Sequence, residues 1–183
     1  MPVTEKVGFL GGGAMAEALL AGIIKSGLLP PGKLYVSDLQ PERLTHLKNK
    51  LGINIVKGNT ELVQQVDMVV LAVKPFVLSD ILEDIGESVT SEQLVISIAA
   101  GISTPYIEKY LKQGVPVIRV MPNTPCLLGQ GALAVAGGKN SLPKHHQKVE
   151  AICSSVGTVV LIKENLMDAV TGVSGSGPAY MYL

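Results

Sequence analysis

Apolar and polar residues follow two different periods along this chain. Seven short runs rich in Val, Ile and Leu predict β-strands, at residues 6–10, 33–37, 68–72, 94–97, 117–120, 132–136 and 158–161. Stretches with apolar residues at helical spacing predict α-helices between them, at 15–27, 41–51, 59–66, 76–85, 104–111 and 143–156. Because the two kinds of element alternate, we expect an α/β fold with a doubly wound, mainly parallel sheet, whose strands are buried on both faces.

Composition narrows the class of protein. The chain has 183 residues, of which 47% are apolar and 16% charged, enough for one sizeable core. Fifteen basic and fifteen acidic residues cancel, and no long basic tract is present, so nucleic acid is not an expected partner. The two cysteines, Cys126 and Cys153, have neither disulfide nor zinc-site spacing, so no metal is expected and a reducing cytoplasm fits. We expect no signal peptide and no membrane helix.

A glycine-rich segment follows the first predicted strand directly. Gly11-Gly12-Gly13-Ala14-Met15-Ala16 has the spacing Gly-x-Gly-x-x-Ala and opens the first predicted helix. In dinucleotide-binding domains the first glycine permits a tight turn, the second leaves room for a pyrophosphate, and the small third residue allows close helix packing. The helix N-terminus offers free N–H groups to the anion. The segment therefore predicts a Rossmann-like, NAD(P)-binding domain; the alternative is a tight turn without a ligand.

Asp38 ends the second predicted strand, near the place where an acid commonly binds the adenosine ribose. Its carboxylate would favour NADH, because the extra phosphate of NADPH would meet a like charge. The alternative is an aspartate that only starts a turn. Arg43 follows closely, and the sequence leaves open whether it reaches a phosphate. The cofactor is therefore expected to be NADP(H) or NAD(H), without a choice between them.

Two further loops follow predicted strands and should lie at the same edge of the sheet. The first is Ala72, Val73, Lys74 and Pro75; the second is Ala99, Ala100 and Gly101. Lys74 is either a cation beside the cofactor or a solvated surface lysine. The small residues of the second loop would let a flat ring approach, and close packing would explain them equally well.

Two longer motifs carry a family resemblance. RVMPNTP at 119–125 and DAVTGVSGSGPAY at 168–180 resemble pyrroline-5-carboxylate reductases, and residues 9–18, 72–75 and 99–101 agree with the same family in order. The resemblance implies hydride transfer from NADPH or NADH to the imine carbon of pyrroline-5-carboxylate, giving L-proline. It also implies a dinucleotide-binding domain over 1–163, and over 164–183 the beginning of a truncated helical domain through which the protein forms homo-oligomers.

The resemblance also assigns site residues. The residues that it places along the cofactor are Gly11, Gly12, Gly13, Ala14, Met15, Asp38, Asn59, Val73, Lys74 and Ala100. The further candidates from the two neighbouring loops are Ala72, Pro75, Ala99 and Gly101. Towards the small-molecule imine substrate it places Asn123, Thr124 and Glu164, and Ser176 in the adjoining loop is a further candidate. No side chain is expected to be catalytic, because the cofactor carries the hydride.

Three alternatives stay open at this stage. Glu164 would either stabilise a protonated imine or cap the helix that begins at Asn165. Another dehydrogenase of the same architecture would need an acid/base residue, and no histidine lies in a candidate loop. A domain that binds a nucleotide without turnover is the third possibility.

Overall fold

The computed structural model describes residues 3–180 and contains eight strands. These are β1 (Val7–Leu10), β2 (Leu34–Ser37), β3 (Asn54–Ile55), β4 (Met68–Leu71), β5 (Leu94–Ser97), β6 (Val117–Met121), β7 (Gly131–Gly137) and β8 (Gly157–Leu161). The helices are α1 (Ala14–Lys25), α2 (Pro41–Leu51), α3 (Asn59–Val63), α4 (Leu78–Ile85), α5 (Thr104–Glu108), α6 (Pro143–Ser154), α7 (Met167–Val170) and α8 (Gly177–Tyr180). Short 3-10 turns precede β2, α4, β7 and α7, and a π-helical turn spans Thr171–Gly175.

The strands form one sheet in the order β3-β2-β1-β4-β5-β6-β7-β8. All neighbouring pairs are parallel except β6 and β7, which pair antiparallel. The chain moves outwards from β1 in one direction through β2 and β3, and in the other through β4, β5 and β6. The sheet therefore has a switch point between β1 and β4, and the predicted doubly wound, mainly parallel fold is confirmed.

Helices cover both faces of the sheet. On one face α1, α2 and α6 pack with apolar residues such as Leu20, Leu47 and Ile152. On the other face α3, α4 and α5 contribute a second cluster that includes Leu82 and Ile107. Because successive strand residues point to opposite faces, the continuous apolar runs of the inner strands supply both clusters.

The observed elements differ from the predicted ones in their bounds, in one additional strand and in the burial of the last strand. The helix predicted to reach residue 27 ends at Lys25, because Ser26 caps it and Gly27 turns away with a φ of 71°. The short strand β3 was not predicted, since two residues are too few to show a period. The prediction of burial on both faces is wrong for β8, where Val160 and Leu161 are each 54% exposed. This strand lies at the edge of the sheet, so it has only one neighbouring strand.

The predicted division at residue 163 stays a prediction. Residues 164–180 contain only short helical turns, and residues 1–2 and 181–183 of the two predicted domains lie outside the described part of the chain. Within residues 3–180, no helix combines the length and apolar character needed to cross a bilayer.

Candidate functional site

The glycine loop connects β1 to α1 at the switch point of the sheet. Gly11 has a φ of 98°, and its N–H donates to the carbonyl oxygen of Ser37 at 2.8 Å. A Cβ at Gly11 would lie 2.7 Å from the carbonyl oxygen of Ala72. Only glycine fits this turn, because a side chain would meet both an unfavourable φ and backbone atoms of the neighbouring loop.

Gly13, at the start of α1, is not required by backbone geometry or by a clash, as Gly11 is. A Cβ built at Gly13 would meet no atom within 4 Å, so the glycine leaves open space rather than avoiding a clash. Gly13 caps α1 with an extended backbone and no side-chain hydrogen bond. The first N–H groups of a helix lack intrahelical partners and carry the positive end of its dipole. The loop and the first turn of α1, including Ala14 and Met15, therefore present N–H groups in the arrangement that suits an anion.

Asp38 is held against the glycine loop. Its Oδ2 accepts a hydrogen bond from the N–H of Gly12 at 2.7 Å, and its Oδ1 accepts one from the N–H of Gln40 at 2.9 Å. The contact with Gln40 is the turn that the sequence left as one alternative, and the contact with Gly12 places the side chain beside the glycine loop. Binding of the adenosine ribose stays a prediction. Asn59, at the start of α3, accepts a hydrogen bond from Ser37 Oγ at 2.7 Å and so lies beside the end of β2.

Arg43 also reaches the glycine loop. Its guanidinium donates to the carbonyl oxygen of Gly12, and to that of Gly13 at 3.3 Å. It also forms an ion pair with Glu17, in the first turn of α1. Lys50 donates to the same carboxylate at 2.7 Å. The hydrogen bond from Lys50, followed by the one from Arg43, lowers the pKa of Glu17 to about 2.

Two neighbouring loops complete this edge of the sheet. The loop after β4 continues into a 3-10 turn, Pro75–Val77, and Lys74 stands exposed at its start. Val73 packs against the glycine loop, since its Cγ1 would lie 3.0 Å from a Cβ at Gly11. The loop after β5 brings buried Ala99 to the same edge, followed by partly exposed Ala100 and exposed Gly101. The cofactor residues predicted from separate loops thus lie along one edge of the sheet.

The candidates for the substrate end gather beyond β6. Asn123 donates through Nδ2 to Ser174 Oγ at 3.1 Å, and its Oδ1 accepts from the N–H of Ala132 at 3.0 Å. Thr124 is exposed at the start of the following 3-10 turn, Thr124–Leu128. Ser176 is partly buried, and its N–H donates to the carbonyl oxygen of Thr171 at 2.8 Å. The motif at 119–125 is therefore joined to the motif at 168–180.

Glu164 corrects one prediction. Its carboxylate does not cap the helix that follows it, because α7 begins without a side-chain cap. It binds the first residue of α5 instead: Oε1 accepts from the N–H of Thr104 at 2.5 Å, and Oε2 accepts from the Thr104 hydroxyl. The guanidinium of Arg119 lies 3.8 Å from Oε1.

Arg119 was not among the residues predicted for the site. The residue sits in the middle of β6 with its side chain 3% exposed, and it also pairs with Asp168 at 2.9 Å. A charged residue inside an apolar strand run was the available signal, because a buried arginine requires acidic partners.

A cavity of about 570 Å³ lies away from these residues, between α1 and the loop 126–130, and no predicted site residue lines it. Within residues 3–180, no cluster of three or more His, Cys, Asp or Glu side chains could hold a metal.

The sheet order, the glycine loop and the open start of α1 define a dinucleotide-binding domain of the Rossmann type. Residues 6–101 match the family described as NADP oxidoreductase, coenzyme F420-dependent. The chain is 44% identical over 178 residues to a pyrroline-5-carboxylate reductase of Methanosarcina acetivorans, an alignment that covers 97% of this chain and 66% of that protein.

Solved structures agree with this likeness. A pyrroline-5-carboxylate reductase from Coxiella burnetii superposes with a TM-score of 0.92 at 33% identity, covering 98% of this chain and 67% of that one. The Plasmodium falciparum enzyme, solved with NADP bound, gives a TM-score of 0.87 at 34% identity and covers 98% and 65%. The chain belongs to the pyrroline-5-carboxylate reductase family. It spans 57% to 66% of the length of several curated relatives.

Proposed function

We propose that this chain forms the cofactor-binding part of a pyrroline-5-carboxylate reductase, which passes hydride from NADPH or NADH to the imine carbon of 1-pyrroline-5-carboxylate and yields L-proline. The observation that carries the proposal is the open surface over Gly13 at the switch point of the sheet. Relatives at 36% to 44% identity are named for this reaction, and one solved relative holds NADP.

The cofactor would lie across the carboxyl ends of β1 and β4. Its pyrophosphate would rest on the N–H groups at the start of α1, and its adenosine ribose would face Asp38. The residues that we assign to this cofactor site are Gly11, Gly12, Gly13, Ala14, Met15, Asp38, Asn59, Ala72, Val73, Lys74, Pro75, Ala99, Ala100 and Gly101. When bound, the nicotinamide supplies the hydride, so the chain has only to bind, orient and shield it.

The imine substrate would bind near Asn123, Thr124, Glu164 and Ser176. The negative charge of Glu164, fixed by Thr104 and Arg119, is suited to stabilise a protonated imine, which accepts hydride more readily than the neutral form. Asn123 is oriented by hydrogen bonds on both ends of its amide, so it is preorganised for a polar contact. No thiol or metal is required for the step.

Assembly and location extend the same proposal. We propose a cytoplasmic homo-oligomer joined through the part of the protein that begins at residue 164. The exposed apolar side chains of Val173, 79% exposed, and Tyr180, 68% exposed, support an interface in this segment. Sedimentation of the purified protein would test the assembly, and a monomer at all concentrations would contradict it.

The test of function has two stages. Titration with NADPH and with NADH should give saturable binding, and addition of pyrroline-5-carboxylate should then oxidise the bound cofactor and release L-proline. Binding followed by imine-dependent oxidation supports the proposal. Binding without oxidation contradicts the reductase activity of this chain and leaves a dinucleotide-binding domain. Folded protein that binds neither cofactor would overturn the proposal altogether.

A further inference from the structure

Three basic residues of α2 point at one carboxylate of α1. Arg43, His46 and Lys50 lie on one face of α2, three and four residues apart, as side chains on one helical face do. All three contact Glu17: Arg43 through an ion pair, Lys50 at 2.7 Å and His46 at 3.5 Å. The side chain of Glu17 is 18% exposed, so this acid lies among the basic groups and not at their outer rim.

This cluster adjoins the place expected for the adenosine ribose. Arg43 donates to the carbonyl oxygens of Gly12 and Gly13, while Asp38 accepts from the N–H of Gly12. The carbonyl groups of the glycine loop therefore accept hydrogen bonds from Arg43, and one of its N–H groups donates to Asp38. A phosphate on the ribose 2′-oxygen would have to enter between these two side chains.

We infer that Asp38 and Glu17 together make the protein prefer NADH to NADPH, with Glu17 acting by engaging the basic residues of α2 that a 2′-phosphate would need. The inference rests on the proposed dinucleotide binding and adds the choice of cofactor. It assigns to Glu17, outside the glycine fingerprint itself, a role in specificity.

Charge supports the inference at each of these residues. Asp38 places a carboxylate where the ribose hydroxyls of NADH would donate hydrogen bonds and where a phosphate would be repelled. Arg43 and Lys50 carry two positive charges, and Glu17 and Asp38 carry two negative charges, so the cluster has no net excess charge for a phosphate. The residue after Asp38 is Leu39, an apolar side chain that is 94% exposed and offers no donor.

Glu17 also stays ionised at the neutral pH at which the cofactor would bind. The hydrogen bonds from Lys50 and Arg43 hold its pKa at about 2, so its negative charge persists at neutral pH. If Nε and Nη2 of Arg43 turned to a phosphate, they would leave Glu17 and two backbone carbonyl groups, which would lose these hydrogen bonds. That loss lowers the net gain from binding NADPH but costs nothing when NADH binds.

Dissociation constants for both cofactors, measured by titration calorimetry, test the inference. The unmodified protein should bind NADH at least about tenfold more tightly than NADPH, the effect of one hydrogen bond to a charged group. Glu17→Gln should raise the affinity for NADPH relative to NADH by about tenfold, and Asp38→Asn should shift the same ratio in the same direction. Glu42→Gln removes an equal charge from an exposed site on α2 and should leave the ratio unchanged.

A double variant identifies the cation. If Arg43 is the group that Glu17 engages, adding Arg43→Met to Glu17→Gln should abolish the gain in NADPH affinity. Tighter binding of NADPH than NADH by the unmodified protein would overturn the inference and leave the proposed reductase intact. An unchanged cofactor ratio in Glu17→Gln, with the fold retained by circular dichroism, would also overturn it. Absence of binding to either cofactor would overturn both proposals.

Discussion

The guanidinium of Arg119 lies 2.9 Å from the carboxylate of Asp168, although the two residues are 49 positions apart in the chain. Arg119 is buried in β6, and its other side faces Glu164 at 3.8 Å. The pairings tie the segment after β8 to the middle of the sheet. They hold Glu164 over the start of α5, where Thr104 donates to it twice. The position of Glu164 therefore depends on Arg119 as well as on its own loop.

Replacing Arg119 should cost far more stability than replacing its exposed partner. We expect Arg119→Met to lower the free energy of unfolding by about 3 kcal/mol, because it leaves the partly buried carboxylate of Glu164 without its cation and loses the hydrogen bond to Asp168. Asp168 is 82% exposed, Asn keeps an oxygen that accepts from Arg119, and Glu164 remains as a counter-charge, so Asp168→Asn should cost less than about 1 kcal/mol. Urea unfolding of both variants measures the difference. Equal losses would show that the buried arginine does not organise this segment.

Two glycines of the cofactor loop should respond oppositely to alanine. Gly13→Ala should change the free energy of unfolding by less than about 1 kcal/mol, because its Cβ meets no neighbouring atom. The same methyl group would fill the space proposed for the pyrophosphate, so cofactor affinity should fall by at least about tenfold. Gly11→Ala should instead destabilise the fold, because its Cβ would lie 2.7 Å from the carbonyl oxygen of Ala72.

Gly32→Ala is the matched control for Gly13→Ala. A Cβ at Gly32 also meets nothing within 4 Å, but this glycine lies in the turn before β2 and outside the proposed site. Calorimetric titration should find its cofactor affinity unchanged. If Gly13→Ala also binds normally, the pyrophosphate does not approach this glycine, and the proposed pose of the cofactor is wrong.

Most of the fold could be predicted because the inner strands are buried on both faces. β4 is a continuous apolar run, and β1 and β5 are apolar apart from Gly8 and Ser97, a local property that the sequence displays directly. β3 could not be predicted, since it consists of Asn54 and Ile55 and is defined by pairing with β2. The exposure of β8 also depends on the order of strands in the sheet. Both exceptions arise from contacts between distant parts of the chain, which the local spacing of apolar residues does not reveal.

Part of the candidate site could likewise be predicted from local sequence, and part depends on contacts between distant residues. The glycine loop was predictable because its three small residues answer to local requirements, a positive φ at Gly11 and open space at Gly13. The partners of Glu164 were not, because Thr104 lies 60 positions away and Arg119 belongs to another strand. A short motif identifies the residue types of a site, whereas tertiary contacts decide which of them are tied together.

Acid should reveal the contribution of Glu17 to stability. Its folded-state pKa of about 2 lies below the ordinary value of 4.5, chiefly because Lys50 donates to it. A lowered carboxyl pKa stabilises the native protein above the ordinary value, and this stabilisation is lost as pH falls towards the folded-state value. The unmodified protein should therefore exceed Glu17→Gln in urea midpoint at neutral pH, with the difference shrinking between about pH 4.5 and pH 2.

The exposed Glu42 again serves as the control for that experiment. Glu42→Gln removes one carboxylate from α2 without touching the cluster around Glu17, so its urea midpoint should follow that of the unmodified protein at each pH. A difference between Glu17→Gln and the unmodified protein that stays constant down to the lowest pH would contradict the lowered pKa. It would indicate that Glu17 stabilises the fold by packing and not by charge.

Both cysteines should be unreactive while the protein is folded. Cys126 is 2% exposed and Cys153 is 3% exposed. Burial raises the pKa of both thiols, that of Cys153 to about 12, so the reactive thiolate is scarce at neutral pH. An aromatic disulfide reagent should therefore modify neither thiol rapidly in native protein, and both in urea. Cys126→Ser and Cys153→Ser assign the signal. Rapid modification of Cys126 in native protein would show that the loop after Asn123 opens, and that the proposed substrate end is less rigid than its hydrogen bonds imply.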